Sequence, residues 1–146
     1  MEILKACEIG TPYVTHNLIM TAANLGTDLV IQRLIGNNTY SLNITEGAVG
    51  TSTTAPTLTD TQLGAEAARA TWQNANDISY NEAQFLFFFT DSMLNSGGSL
   101  SVAEFGMFVD GTGTANSGQM WNHALFSPTY SKVAGTDITV ECDIVA

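Results

Sequence analysis

Charge is scarce in this chain, and positive charge scarcest. Asp, Glu, Lys and Arg make up 12% of its 146 residues, about half the usual share of a soluble domain. Only four are basic, Lys5, Arg33, Arg69 and Lys132, one in each broad region. Nucleic-acid binding needs a clustered basic footprint, so this pattern excludes it. The 14 acids bring the formal net charge to -10 without forming a run. They imply a diffuse, solvated acidic face that discourages non-specific sticking, and not a metal-collecting surface.

Cysteine and histidine are as sparse. Cys7 and Cys142 allow one pairing, which their spacing does not decide. Cys142 shares the inward side of an alternating stretch, which favours a buried thiol. His16 and His123 are too few for an ordinary zinc site. No apolar run approaches the ~20 residues that span a bilayer, so no membrane partner is expected. Glu8, Gly10 and Pro12 interrupt the apolar residues after Lys5, so no signal peptide is expected either. Asn37-Asn38-Thr39 and Asn43-Ile44-Thr45 match the glycosylation acceptor pattern, but chance produces such matches in a chain this rich in Thr and Asn.

What the chain does have is 45% apolar residues, enough for one domain with a modest core. Its solubility rests on Thr, Asn and Ser, short side chains that lose little rotamer entropy when immobilised. Such a surface suits a packed assembly.

The end of the chain sets the architecture. Phe105, Met107 and Val109 fall on one face of an extended segment. Ile138, Val140, Cys142 and Ile144 do the same, with Thr139, Glu141 and Asp143 between them. That two-residue period marks strands with one buried face. A third strand is expected around 119–126, after the flexible connection 111–118, and Pro128 belongs at an edge or a break. Earlier, residues 1–12 read as an N-terminal arm or edge strand. Leu18, Ala22, Leu25 and Leu29 then stand four, three and four apart, which predicts a long helix over 14–35, stopped by Gly36-Asn37-Asn38.

Tyr40, Leu42 and Ile44 alternate as a strand. The glycines at 47 and 50 lack the spacing and the lysine of a phosphate loop. Asp60 is positioned to cap a short helical piece over 61–69. Gln84-Phe85-Leu86-Phe87-Phe88-Phe89 is the most apolar run, expected to be a strand covered on both sides. A turn follows at 95–98. The expected fold is therefore mainly β with one long N-terminal helix: an antiparallel β-sandwich or small barrel, with residues 13–146 forming a single β-rich domain.

No catalytic constellation emerges. His16 opens the expected helix on an exposed side, and His123, beside Trp121, suits a hydrogen-bonded structural role. Asp110 or Glu104 as orienter and Cys142 as nucleophile can be imagined around it, yet no spacing supports that set. Glu141 and Asp143 look like the polar face of a sheet before they look like a glycosidase pair. Asp110-Gly-Thr-Gly-Thr is oxygen-rich but lacks a calcium loop's repeats and closing Glu. No catalytic, cofactor or metal residue is assigned. The aromatics Phe108, Trp121, Phe126 and Tyr130 suit a core or a subunit interface, and the interface candidates are Phe85, Phe87, Phe89, Trp121 and Phe126.

Several stretches carry a resemblance. The run from Gly50 to Arg69 (GTSTTAPTLTDTQLGAEAAR), Val102-Ala-Glu-Phe-Gly-Met-Phe-Val, Met120-Trp-Asn-His-Ala-Leu-Phe-Ser-Pro and Gly135-Thr-Asp-Ile-Thr-Val-Glu-Cys-Asp-Ile resemble small virion proteins of tailed bacteriophages and related prophages. With the segment before them they cover most of the chain. The Phe85–Phe89 run and the 121–123 segment depart from that pattern. The resemblance implies a structural virion component without catalytic residues, either a capsid decoration protein or a part of the tail, baseplate or fibres. Gly106 would permit close backbone approach, and Arg69 would end the short helix and pair with an acid. The expected partners are sister subunits in a homo-oligomer and the major capsid protein or tail proteins, and the expected location is the virion. A carbohydrate-binding module or small hydrolase using Trp121, Tyr130 and nearby acids is the alternative from another class.

Overall fold

The computed structural model describes residues 2–5 and 14–145. In chain order the elements are β1 (Glu2–Lys5), β2 (Val14–Ile19), α1 (Gly26–Leu34), β3 (Ile44–Gly50), β4 (Glu66–Ser79), β5 (Glu82–Phe89), β6 (Leu100–Val109), β7 (Gln119–Lys132) and β8 (Ile138–Val145). The strands form one curled sheet in the order β1-β8-β5-β4-β3-β6-β7-β2. Every neighbouring pair is antiparallel except β1 with β8.

The curl follows from the length of β4. Its first half pairs with β3 from Glu66 to Thr71, and its second half pairs with β5 from Trp72 to Ser79. A strand that changes partner along its length turns a corner and lets one sheet fold back over its own face. The expectation of a β-rich fold is met in this form. Residues from both halves consequently share one core: Phe105 and Met107 of β6, Phe87 and Phe89 of β5, and Val140 of β8, all fully buried. Alternation along β6 sends Phe105, Met107 and Val109 inward and Phe108 to the opposite face. There Phe108 joins Met20, Leu25, Ala48, Leu63 and Met120 in a second buried cluster.

The long helix over 14–35 does not exist. Val14–Ile19 is a strand, and the helix is confined to Gly26–Leu34, 9 residues. The four-three-four spacing was shared among three local structures: Leu18 lies in β2, Ala22 in the turn, and Leu29 in α1. Two left-handed positions, Asn24 at φ 62° and Gly26 at φ 45°, break the right-handed path between them. Gly26 is required twice over, since a Cβ there would lie 2.1 Å from the Met20 carbonyl oxygen.

Three smaller expectations also shift. Residues 61–65 form a bent, irregular segment and β4 begins at Glu66, so no short helix spans 61–69; the Asp60 carboxylate instead accepts from the Thr57 amide at 2.9 Å, closing a turn. The strand expected from Tyr40 starts at Ile44, because Leu42 has φ 67°. Cys142 is fully buried as expected but is disulfide-bonded and not a thiol; Cys7 lies outside the described residues, as does most of the expected arm. Pro128 follows a cis peptide bond within β7, between Val102↔Tyr130 and Glu104↔Leu125, where the register with β6 shifts.

Candidate functional site

The outer face of β6 and β7 carries the most organised polar group in the molecule. Glu104 and Gly106 alternate onto that face, and His123 stands opposite Gly106 in the register. With no side chain at Gly106, Glu104 reaches diagonally to His123, and Glu104 Oε2 lies 2.8 Å from His123 Nε2. His123 Nδ1 lies 2.8 Å from Asp60 Oδ2. The remaining capacity of Glu104 is filled by backbone: Oε2 accepts from the Gly64 amide at 2.9 Å, and Oε1 from the amides of Ala65 at 2.8 Å and Ser52 at 3.2 Å. Leu63 lies over Gly106, where an added Cβ would meet its Cδ2 at 3.2 Å and the Asn122 carbonyl oxygen at 2.9 Å.

The electrostatics follow from this packing. Burial alone would push the His123 imidazole down; the carboxylates of Glu104 and Asp60 outweigh it and hold the pKa above the ordinary 6.5. Burial likewise opposes ionisation of Glu104, but the His123 bond and the three amide donors hold its carboxyl below the usual range. Asp60 is held low as well, against burial, by Thr57 and then by His123. The trio is an imidazolium clamped by two carboxylates. A general base needs one ring nitrogen directed at substrate, and here both are spent inside the fold. Asp110 and Cys142 do not join it: the Asp110 carboxylate accepts from the Ser41 amide at 2.7 Å, and Cys142 lies in the inner core.

Two further buried cations are spent in the same way. Arg69 donates to Glu66 at 2.8 and 2.9 Å and to the Ser117 carbonyl at 2.7 Å, with its guanidinium 4.1 Å from the Phe108 ring centroid. It sits within β4 and pairs with an acid as the resemblance implied, but there is no short helix for it to end. Glu46, nearby, is pushed up by burial more than Arg69 lowers it. Lys132, fully buried, donates to Asp91 and to the carbonyls of Asn95 at 3.2 Å and Gly98 at 2.9 Å. Among the described residues no cluster of three His, Cys, Asp or Glu side chains is placed to hold a metal, and no helix is long and apolar enough to cross a membrane.

The interface candidates separate. Phe87, Phe89 and Phe126 are buried in the chain's own core, whereas Phe85 and Trp121 are half-buried. These two line a cavity of about 390 Å³ together with Trp72, Leu42, Ile44 and Ile144. Trp72 was missed by periodicity, as it lies where β4 leaves one partner for the next. Tyr130 is packed in the core and offers no open face to a sugar. Glu141 and Asp143 pair in register with Leu86 and Gln84, and His16 falls within β2 rather than at a helix start.

Past the corner, Trp72–Ser79 pairs only with β5 among the described residues, and residues 71–78 are exposed. The hairpin ends at Tyr80, fully exposed, with Ile78 half-exposed beside it. No family model matches the chain, and neither a curated protein nor a solved structure is similar to it.

Proposed function

We propose that this protein is a non-enzymatic structural subunit of a tailed-phage virion, working as a homo-oligomer, with the capsid shell as its place. The observation that carries the proposal is where the resembling stretches sit. Gly50–Arg69 holds Asp60 and the amides of Gly64 and Ala65; Val102–Val109 holds Glu104; Met120–Pro128 holds His123. These stretches thus fasten a Thr-rich outer layer onto the sheet, with His123 supplied by the 121–123 segment that departs from the resembling pattern, and the bonds they make serve architecture. Buried polar networks that are fully satisfied rigidify a fold, which suits a subunit that must hold its shape under load.

The hairpin supports assembly. An open strand edge with exposed apolar side chains is a template for pairing with another chain, and few charges stand in the way. A decoration protein would lay such edges against sister subunits and the major capsid protein and stiffen the shell without touching DNA. Two-dimensional averages of purified virions labelled with antibody to this protein test it directly. Signal over the shell is the expected result, signal confined to the tail moves the protein to a fibre or baseplate, and its absence from virions overturns the proposal.

A further inference from the structure

We propose that the groove over Glu46, on the outer face of β3, β4 and β5, binds a primary ammonium group carried on a short apolar stem. The groove has a volume of about 520 Å³, within the range of small-molecule sites. Buried Glu46 and Arg69 line it, together with the apolar Phe88 and Met93 and the polar Thr71, Gln73 and Thr90. Phe88 faces outward because its neighbours Phe87 and Phe89 point into the inner core.

Glu46 is the group without a partner. It is 4% exposed, yet among the described residues no hydrogen bond or ion pair reaches its carboxylate. Its oxygens are not among the unpartnered polar atoms sealed from solvent, so they open on the groove that Glu46 lines. Arg69 does not complete it, being committed to both Glu66 oxygens and to the Ser117 carbonyl. An ionised Glu46 therefore leaves this group of three with one negative charge over. Burial opposes that charge more than Arg69 supports it.

A recessed charge is costly until it is paired, and a cation pairs it. A metal ion wants several oxygen ligands, and no cluster of three such groups exists among the described residues. An ammonium is a compact charge with three donors. One donor serves Glu46, and the side-chain oxygens of Thr71, Gln73 and Thr90 line the same groove for the others. Phe88 and Met93 take the apolar stem. The net charge of -10 draws cations and repels anions. The site is independent of the virion proposal.

Labelling the methionine methyl carbons of the full chain places a reporter in the groove at Met93, and the Met93→Leu variant assigns its signal. Butylammonium and butanol are matched probes, with and without the charge, compared at constant ionic strength. Butylammonium is expected to shift the Met93 methyl saturably and to bind at least about tenfold tighter than butanol, the worth of a hydrogen bond to a charged group. At saturation it should also lower the pH at which the Glu46 carboxyl titrates. In Glu46→Gln, which keeps the shape, the preference should vanish. If that variant does not fold, Thr71→Lys stands opposite Glu46 in the register and should fill the site from within the chain, abolishing binding. A lysine blocked as its acetyl methylamide that binds as well as butylammonium assigns the ligand to a lysine side chain, and binding of butylammonium alone assigns it to a free amine. No saturable shift, equal affinities for amine and alcohol in the parent chain, or binding undiminished in the variant that folds would each overturn the proposal.

Discussion

His123 and Glu104 meet through Nε2 and Oε2 at 2.8 Å, both withdrawn from solvent, on a diagonal two residues out of register between β7 and β6. The pair is the fastening between the sheet and the 51–65 layer, because Glu104 also takes three amides of that layer. Removing one partner of a buried ion pair strands the other and typically costs about 3–5 kcal/mol. Glu104→Gln keeps the shape but removes the charge and points an NH₂ group at donors. We expect a loss of about 3 kcal/mol in urea unfolding, with an unchanged m-value. A loss under about 0.5 kcal/mol, the scatter of ordinary surface changes, would show that the network fastens nothing.

The same trio makes stability depend on pH from both sides. The His123 pKa is raised in the folded state, so its contribution is full below 6.5 and is lost as pH rises through the raised value. Glu104 and Asp60 are held low, so theirs is present above 4.5 and 3.8 respectively, and lost as pH falls through the depressed values. Melting temperature should therefore peak between about pH 5 and 6.5 and fall on the alkaline side. In His123→Asn that alkaline fall should disappear; its persistence would assign it to another group.

Much of this was legible in the sequence, and the failures have physical causes. Alternation at Phe105, Met107 and Val109 and at Ile138, Val140 and Cys142 located β6 and β8, because a half-buried strand writes its period directly. A structural role for His123 could be argued from its apolar neighbours, but its partners Glu104 and Asp60 lie 19 and 63 positions away. No local spacing encodes them. The helix error came from a period that a strand, a turn and a short helix reproduced together, while the decisive signals were Asn24 and Gly26. The corner in β4 left no periodic trace at all, so the cavity at Trp72 was invisible.

Gly50 lets the fastening close. A Cβ there would lie 2.3 Å from Glu104 Oε1 and 2.5 Å from the Ala65 carbonyl oxygen, so Gly50→Ala must displace the carboxylate or the loop. Overpacking of this kind costs about 1–3 kcal/mol. We expect that loss together with faster hydrogen exchange at the amides of Ser52, Gly64 and Ala65. A variant as stable as the parent with unchanged exchange would mean that the loop yields without strain.

Lys132 performs a parallel task at the far end of β7. Its ammonium is enclosed by Asp91 and two loop carbonyls, and that bond, with the Gly97 amide, holds the Asp91 carboxyl low. Lys132→Met preserves the buried stem and leaves those acceptors unpaired, at about 1–3 kcal/mol. The expected signature is local: hydrogen exchange should rise across 90–98 and little elsewhere. Uniform loss of protection would instead place Lys132 in the global core.

Assembly should turn on the hairpin and not on the Phe85–Phe89 run, since Phe87 and Phe89 already lie inside the chain's own core. Past Trp72, β4 pairs with β5 on one side and has no second partner among the described residues, which leaves an exposed strand edge leading to the apolar Ile78 and Tyr80. Inward-pointing or edge charges are how sheet proteins prevent such pairing. Light scattering across a concentration series should find a closed oligomer for the parent chain and a monomer for Ile78→Lys with Tyr80→Ser. Because both positions lie at the hairpin tip, the double variant should keep the parent's unfolding midpoint as a monomer. An oligomer that survives both changes would move the contact to the exposed Ile31, Leu34 and Ile35 on and just beyond α1, while a parent chain that stays monomeric when concentrated would remove the homo-oligomer from the proposed function.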